Sequence, residues 1–372
     1  MDALADDAWV ELLGADPRPW LLASPEAPAR WVTLARLEDR TEGDPQVRAA
    51  RATAIASSMV TGLVEALPSW GEGVGASGHD SPGYLPNMLG FLAELGVQAG
   101  DDHRVDGALD AISNHQYDDG RFASFGRAPR HPEPLWGSLP CDTHLIADVL
   151  VRYGRTGDGA VERALERIAA DLGTTNQGPA WTCVPDLAVG FRGPGRRNDI
   201  CPQVTLEALR VCSRLPEADR PDGLEDAART VLAVWQHRGE HQPYLFGHGL
   251  RFKSVKWPPL WYGAFTVLDT LGRYPTLWRH GDAATRRLLA ELVACLIAYN
   301  VAPDGTVTPR SVYRGFSSSS FGQKKQPSPI ATALVAAVVR PFSDLAADIT
   351  RIDVTTLASS KGGTGTPVGP RS

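Results

Sequence analysis

Apolar positions recur at helical spacing in one stretch of this chain after another, and many of these stretches open on a proline. Val161, Ala164, Leu165, Ile168 and Leu172 fall on one stripe, with Glu162, Arg163, Glu166 and Arg167 opposite, as in a helix that faces water on one side. Residues 145–151 (Leu-Ile-Ala-Asp-Val-Leu-Val) are apolar nearly all round, which predicts a helix buried on both sides. The same reading gives helices over 11–22, 28–40, 44–67, 82–95, 102–116, 140–153, 160–172, 202–215, 224–237, 258–271, 283–299 and 329–339. Proline is tolerated in a first turn, where its missing N–H costs nothing. The leading prolines (Pro28, Pro82, Pro140, Pro202, Pro258 and Pro329) stand 54 to 71 residues apart, with two helices per interval. A period of that length reads as an array of helical hairpins. Helices that are alternately one-sided and buried all round imply two layers, an outer ring around an inner one, which six hairpins would close. The all-α domain is expected over 28–347, after a helical segment at 1–27 and before a flexible tail at 348–372 rich in glycine and threonine.

Composition narrows the class of partner. The chain has 372 residues, of which 43% are hydrophobic, ample for a large core. A net charge of −6 and a pI near 5.9 give no basic surface for nucleic acid or anionic membrane. The start, Met1-Asp2-Ala3-Leu4-Ala5-Asp6-Asp7, lacks the basic and apolar regions of a signal peptide. The longest mainly apolar run, 330–339, is too short to be read as a transmembrane segment. Five cysteines in a chain of this size do not make a disulfide framework. A cytoplasmic protein with reduced thiols is the expectation, its oligomeric state open. No glycine-rich phosphate loop, Gly-x-Ser-x-Gly elbow or His-Glu-x-x-His helix is present.

Gln116-x2-Asp119-Gly120-x-Phe122 resembles the glutamine–aromatic turn of the squalene-cyclase and prenyltransferase repeat superfamily, with a weaker echo at Ala302-Pro303-Asp304-Gly305-Thr306-Val307 and another at Pro68-Ser69-Trp70-Gly71. The resemblance spans roughly 28–342. It implies an α/α toroid in which every inner helix points the same way, so residues near the leading prolines converge at one mouth of a central cavity. It also implies a hydrophobic, isoprenoid substrate.

On that expectation several groups meet at the mouth. Arg196, Arg197, Lys253 and Lys256 would hold a diphosphate, with Lys324, Lys325, Arg310 and Arg314 nearby; solvated loop cations are the plain alternative. Tyr84, Trp257, Trp261, Tyr262, Phe316 and Phe321 would line an isoprenoid pocket and stabilise a carbocation, while Phe265 reads as packing. Residues 195–201 (Gly-Arg-Arg-Asn-Asp-Ile-Cys) also resemble the beta subunit of protein prenyltransferases, where a basic loop leads into an Asp-x-Cys zinc site completed by a histidine. Asp199 and Cys201 match that pattern, but the next inner helix starts Trp257-Pro258-Pro259 without a histidine, leaving His248 nine residues upstream. A second donor set is Cys141, Cys183 and Cys201 with His144 or His248, thiolate and imidazole ligands that suit zinc. It is similar to the site of lanthionine cyclases, minus their adjacent Cys-His pair. Equally, these cysteines read as small buried hydrophobes; Cys212 and Cys295 do so outright.

Class II terpene cyclases protonate an alkene with an Asp-x-Asp-Asp motif, which this sequence lacks. Asp142 and Asp269, each near or in an inner helix, are the substitute acids, since a carboxyl in an apolar cavity has a raised pKa; buried helix acids are as often structural. Three readings stay open: an isoprenoid cyclase or prenyl-transfer enzyme, a zinc enzyme acting on a thiol or peptide, and a non-catalytic binding toroid.

Overall fold

Proline, glycine and aspartate punctuate the chain into helices much as the periodicity predicts. The computed structural model describes residues 7–71, 78–126, 131, 133–184, 196–243 and 246–357. Gly195, the N-terminal residues 1–6 and the glycine-rich stretch 362–367 therefore lie outside the described residues. The helices are α1 (Ala8–Leu13), α2 (Arg18–Leu22), α3 (Ala27–Val32, continuing as a π-turn over Thr33–Leu37), α4 (Pro45–Ile55), α5 (Ser58–Glu65), α6 (Leu85–Glu94), α7 (His103–Ser113), α8 (Pro140–Arg152) and α9 (Gly159–Ala170). They continue as α10 (Pro202–Cys212), α11 (Leu224–Gln236), α12 (Leu250–Lys253), α13 (Ala264–Leu271), α14 (Thr276–Arg279), α15 (Ala283–Asn300), α16 (Pro329–Val339) and α17 (Ala346–Ile349). Strands are confined to three two-stranded ribbons: β1 (Ser124–Gly126) with β2 (Leu135–Gly137), β3 (Gly173–Thr175) with β4 (Gly178–Ala180), both antiparallel, and β5 (Lys256–Trp257) parallel to β6 (Ser311–Val312). The protein is thus helix-rich, without a barrel among the described residues.

Three expected helices are shorter or broken, each for a local reason. Residues 11–22 form two helices because Gly14 turns left-handed and Pro17 follows. The stretch 44–67 breaks between α4 and α5, around Ala56 and Ser57. The stretch 258–271 becomes helical only from Ala264. Pro259 pushes Pro258 out of the helical region, and the Trp257–Pro258 peptide is cis.

The chain divides into two compact units. One comprises residues 62–234 and 242–246, the other 1–61, 235–241 and 247–372. In the first, α8 packs against α6, α9 and α10. Residues 140–151 of α8 are all buried, whereas α9 buries only Val161, Ala164 and Ile168. The helix apolar all round and the one-sided helix of the sequence pattern are therefore both present. In the second unit, α16 is buried from Ile330 to Val339 and packs against α3 and α13. With the segments that follow, Pro329–Ile349 is long and apolar enough to cross a membrane, but 67% of that window is buried within the protein, as in a core helix.

A repeated device fixes where the buried helices begin. The backbone N–H of Phe122 donates to Thr143 Oγ1 (3.2 Å), that of Trp181 to Thr205 Oγ1 (3.2 Å) and that of Val307 to Thr332 Oγ1 (2.9 Å). Each threonine stands three residues after the leading proline of α8, α10 or α16. The glutamine–aromatic turn supplies a second tie. Gln116 Nε2 donates to the carbonyls of Gly120 (2.9 Å) and Ala160 (2.6 Å), and Arg163 donates to Gln116 Oε1 (2.6 Å). Gly120 has φ +89°, and a Cβ there would lie 2.4 Å from the Arg163 carbonyl oxygen, so only glycine fits. Gly305 repeats this in the other unit, with φ +78° and a Cβ position 2.7 Å from Ala15 O.

Candidate functional site

The chemistry-bearing side chains of the first unit gather at the N-terminal ends of α8 and α10. Asp142, in the first turn of α8, is 5% exposed. Its Oδ2 accepts the Leu139 N–H (3.2 Å), a helix-capping contact, and its Oδ1 accepts the Tyr84 hydroxyl (3.0 Å). Tyr84 also shares a hydrogen bond with Ser124 Oγ at 2.6 Å. His79 Nδ1 stands 3.9 Å from Asp142 Oδ1. Burial pushes the Asp142 carboxyl above its ordinary pKa, against the opposing effects of His79, Tyr84 and the Leu139 N–H. A chain of rings extends from Tyr84: Trp70 lies 5.5 Å from Tyr84 and 6.5 Å from Trp136, which stacks on His115 at 3.5 Å.

Next to it, Cys141 is buried, and burial followed by the neighbouring Asp142, Glu207, Cys183 and Cys201 holds it firmly as a thiol. Cys183 and Cys201 are buried as well, and none of the five cysteines is in a disulfide. Among the described residues one set of three ligand-type side chains converges, His79, Cys141 and Asp142, with ligand atoms all within 4.8 Å of one another. Cys141, Cys183 and Cys201 are not such a set. His144 points elsewhere: its Nδ1 meets the Val204 carbonyl at 3.0 Å, its ring lies edge-on to Trp181, and burial lowers its pKa to about 4. Asp199 is buried and occupied by Asn176 (3.0 Å) and Gln177 (3.1 Å), while Arg196 and Arg197 are exposed. Asp199 and Cys201 thus sit beside each other in sequence but serve different neighbours.

Glu207, midway along α10, is 2% exposed. Gln203, one turn earlier, donates to its Oε1 at 2.6 Å. Burial raises the Glu207 pKa to about 8, with Asp142 and Asp148 adding to the effect. Further along, the guanidinium of Arg214 pairs with buried Asp148 at 2.6 Å, and that of Arg152 with Glu94 at 2.7 Å. Neither His79, in a loop of small residues, nor Glu207, an acid inside Val204-Thr205-Leu206-Glu207-Ala208-Leu209, stood out by motif. The only sequence signal at Glu207 is the one Asp269 also carries, a lone acid in an apolar helix.

The second unit holds the remaining candidates. His248 is fully buried in an aromatic cage of Trp235, Phe252 and Tyr262, with Nε2 2.9 Å from the Tyr262 hydroxyl; burial lowers its pKa to about 4. Lys253 is buried with its ammonium 5.2 Å from the Tyr299 ring centre, and Lys256 stands 3.7 Å over Tyr313. Both cations therefore have cation–π partners. Trp257 packs edge-on against Phe265, and the Trp261 carbonyl accepts the Thr266 hydroxyl. Asp269 lies between Arg36 and Arg273, each 3.5 Å away, so its setting is an ion-pair network rather than an apolar pocket. A cavity of about 540 Å³ lies in this unit, lined by Arg238, Arg287, Leu288 and Glu291, and includes none of these candidates.

No protein-family profile matches the chain, and no curated protein sequence does either. Among solved structures, it is similar to the type II terpene cyclase MstE from Scytonema, at 14% identity over 92% of this chain and 99% of that one, with a TM-score of 0.42. MstE with geranylgeranyl dihydroxybenzoate bound gives 13% identity, 93% and 97% coverage and a TM-score of 0.41. A polysaccharide lyase matches at 11% identity, 92% and 97% coverage and a TM-score of 0.42. At such scores, shared by two different chemistries, these likenesses assign neither fold nor activity.

Proposed function

We propose that this protein is a terpene-cyclase-type enzyme, its proline-led hairpins forming the α/α toroid expected from the repeat, with an isoprenoid as substrate. The observation that carries the reading is Asp142: a buried carboxyl with a raised pKa, hydrogen-bonded by Tyr84, whose ring packs against Trp70. In its protonated form, which burial favours, such a carboxyl is fit to give its proton to an alkene. The O–H bond of Asp142 breaks, a C–H bond forms, and the positive charge passes to the substrate carbon. The Tyr84 hydroxyl and the Leu139 N–H then stabilise the carboxylate left behind, and the faces of nearby rings stabilise the cation. Loss of a proton from the carbocation ends the reaction and restores an alkene. Exposed Arg196 and Arg197 supply positive charge for a diphosphate end of the substrate. Incubation with farnesyl or geranylgeranyl diphosphate and chromatography of the extract tests the assignment. Asp142→Asn should lower product formation by about 10²–10⁴-fold, the usual worth of a general acid. Activity unchanged by that substitution, or no product from either chain length, would sink the reading.

A second reading, a zinc enzyme acting on a thiol or peptide, is favoured by the convergence of His79, Cys141 and Asp142. A thiol, an imidazole and a carboxylate are a donor set that suits zinc, leaving a fourth position for a substrate thiol or water. The two readings part on metal: activity that survives exhaustive chelation supports the acid, and stoichiometric zinc lost in His79→Ala supports the metal.

A further inference from the structure

Two of the three side chains that converge at Asp142 take no part in the proton transfer described above. A His79 ring nitrogen, Cys141 Sγ and an Asp142 carboxylate oxygen lie within 4.8 Å of one another, and His79 Nδ1 is 3.9 Å from Asp142 Oδ1. Cys141 and Asp142 are consecutive in the first turn of α8, whereas His79 stands in the loop before α6. That loop is pinned, because buried Asn87 of α6 donates its amide to the carbonyls of His79 (2.9 Å) and Ser81 (2.8 Å). The carboxylate is held from behind as well, by the Tyr84 hydroxyl on Oδ1 and the Leu139 N–H on Oδ2. Ligands oriented by hydrogen-bonded supports are what a metal centre requires. Cys141 and Asp142 are buried, but the His79 side chain is 25% exposed, so a cation from solvent has the imidazole as its first ligand.

The donor set selects the ion. Thiolate, imidazole and carboxylate together suit zinc, whereas magnesium and calcium take oxygen ligands. Ligand atoms at zinc distances stand roughly 3.5 Å from one another. Separations of up to 4.8 Å therefore close by about 1 Å, a shift open to the partly exposed His79 ring. Zinc takes deprotonated ligands, so the Cys141 S–H proton and any Asp142 O–H proton pass to the buffer as the Zn–S and Zn–O bonds form. The Asp142 carboxyl cannot be a proton donor and a zinc ligand at once.

We propose that zinc bound by His79, Cys141 and Asp142 inhibits this protein, withdrawing the Asp142 proton and so switching cyclisation off. The proposal rests on the cyclase reading above and gives that site its regulation; in the zinc-enzyme reading the metal is required instead. The test gives the chelated full chain farnesyl and geranylgeranyl diphosphate with increasing zinc, and with magnesium as the control. At free zinc about ten times its dissociation constant, product formation should fall by about ten-fold, to the share of sites left empty, and chelator should restore it. Cobalt in place of zinc reads the site without turnover: a Cys141 thiolate ligand gives a near-ultraviolet charge-transfer band, which Cys141→Ser should lose. Cys141→Ser and His79→Ala, each compared with itself in chelator, should escape the inhibition. Such escape also separates binding at this site from capture of the diphosphate by zinc. A cobalt complex without that band, product formation indifferent to zinc, or inhibition that persists in either variant would each overturn the switch and leave the cyclase reading standing. Product formation that requires zinc would overturn the switch in favour of the zinc enzyme. No product with or without zinc would overturn the cyclase reading and the switch together.

Discussion

Glu207 makes the stability of this protein depend on pH in a direction opposite to that of most surface acids. Its carboxyl has an ordinary pKa of 4.5 when the chain is unfolded and about 8 in the folded state, where burial disfavours the charge. Below pH 4.5 both states hold the proton and the group has no effect on the balance. Between 4.5 and 8 the unfolded chain releases the proton and the folded one keeps it, so folding loses ground as pH rises, by about 1.4 kcal/mol per pH unit. Above 8 the loss is complete. By pH 7 it amounts to about 3 kcal/mol, a large share of the stability of a typical domain. Glu207→Gln retains the bond from Gln203 and removes the titration. The variant should therefore match the unaltered protein near pH 4.5 and exceed it by about 3 kcal/mol at pH 7. Denaturant unfolding at half-unit steps from pH 4.5 to 8 measures this. Taking the difference between the two proteins removes the contributions of groups that do not interact with Glu207. A difference that stays flat, or one that shrinks with rising pH, would refute the claim that Glu207 is folded in its neutral form.

Two further predictions concern the ties between helices. Gly120→Ala forces a left-handed backbone and a Cβ against the Arg163 carbonyl, and should cost about 2 kcal/mol or more in denaturant unfolding. Gly107→Ala in α7, with nothing within 4 Å, should instead stabilise by about 0.5–1 kcal/mol; equal effects at the two glycines would contradict the turn geometry. Thr205→Val removes the oxygen that receives the Trp181 N–H, and unfolding should show a loss of about 1–3 kcal/mol that Thr205→Ser restores.

The helices were legible in the chain because their causes are local. Apolar spacing marks α8, α9 and α10, and the prolines at 140, 202 and 329 start helices at those positions. Pro258 misled because a second proline follows it, so that the helix waits until Ala264. The candidate site was legible only in part. Asp142, Cys141 and Tyr84 are near a leading proline and were found by that rule. His79 was hidden in a loop of small residues, and Glu207 looked like one more helix acid. What sets them apart is tertiary: His79 comes near Asp142 of α8, and Glu207 is buried as α10 packs on α8. The same holds for Asp269, whose neighbour Arg36 lies 233 residues away in sequence.

The threonine contacts have a consequence for how such a chain can change. Each one grips the backbone at the start of a long connection and the first turn of the helix that ends it, across sequence separations of 21, 24 and 25 residues. Whatever lies between is held at both ends by atoms that do not depend on it. These intervals behave as exchangeable cassettes: they can lengthen, shorten or take on new side chains while the helix that follows still starts in the same place. Ser124, Cys183, Arg196 and Asp199 all fall inside them, so several polar side chains near the starts of the buried helices sit where the scaffold tolerates novelty.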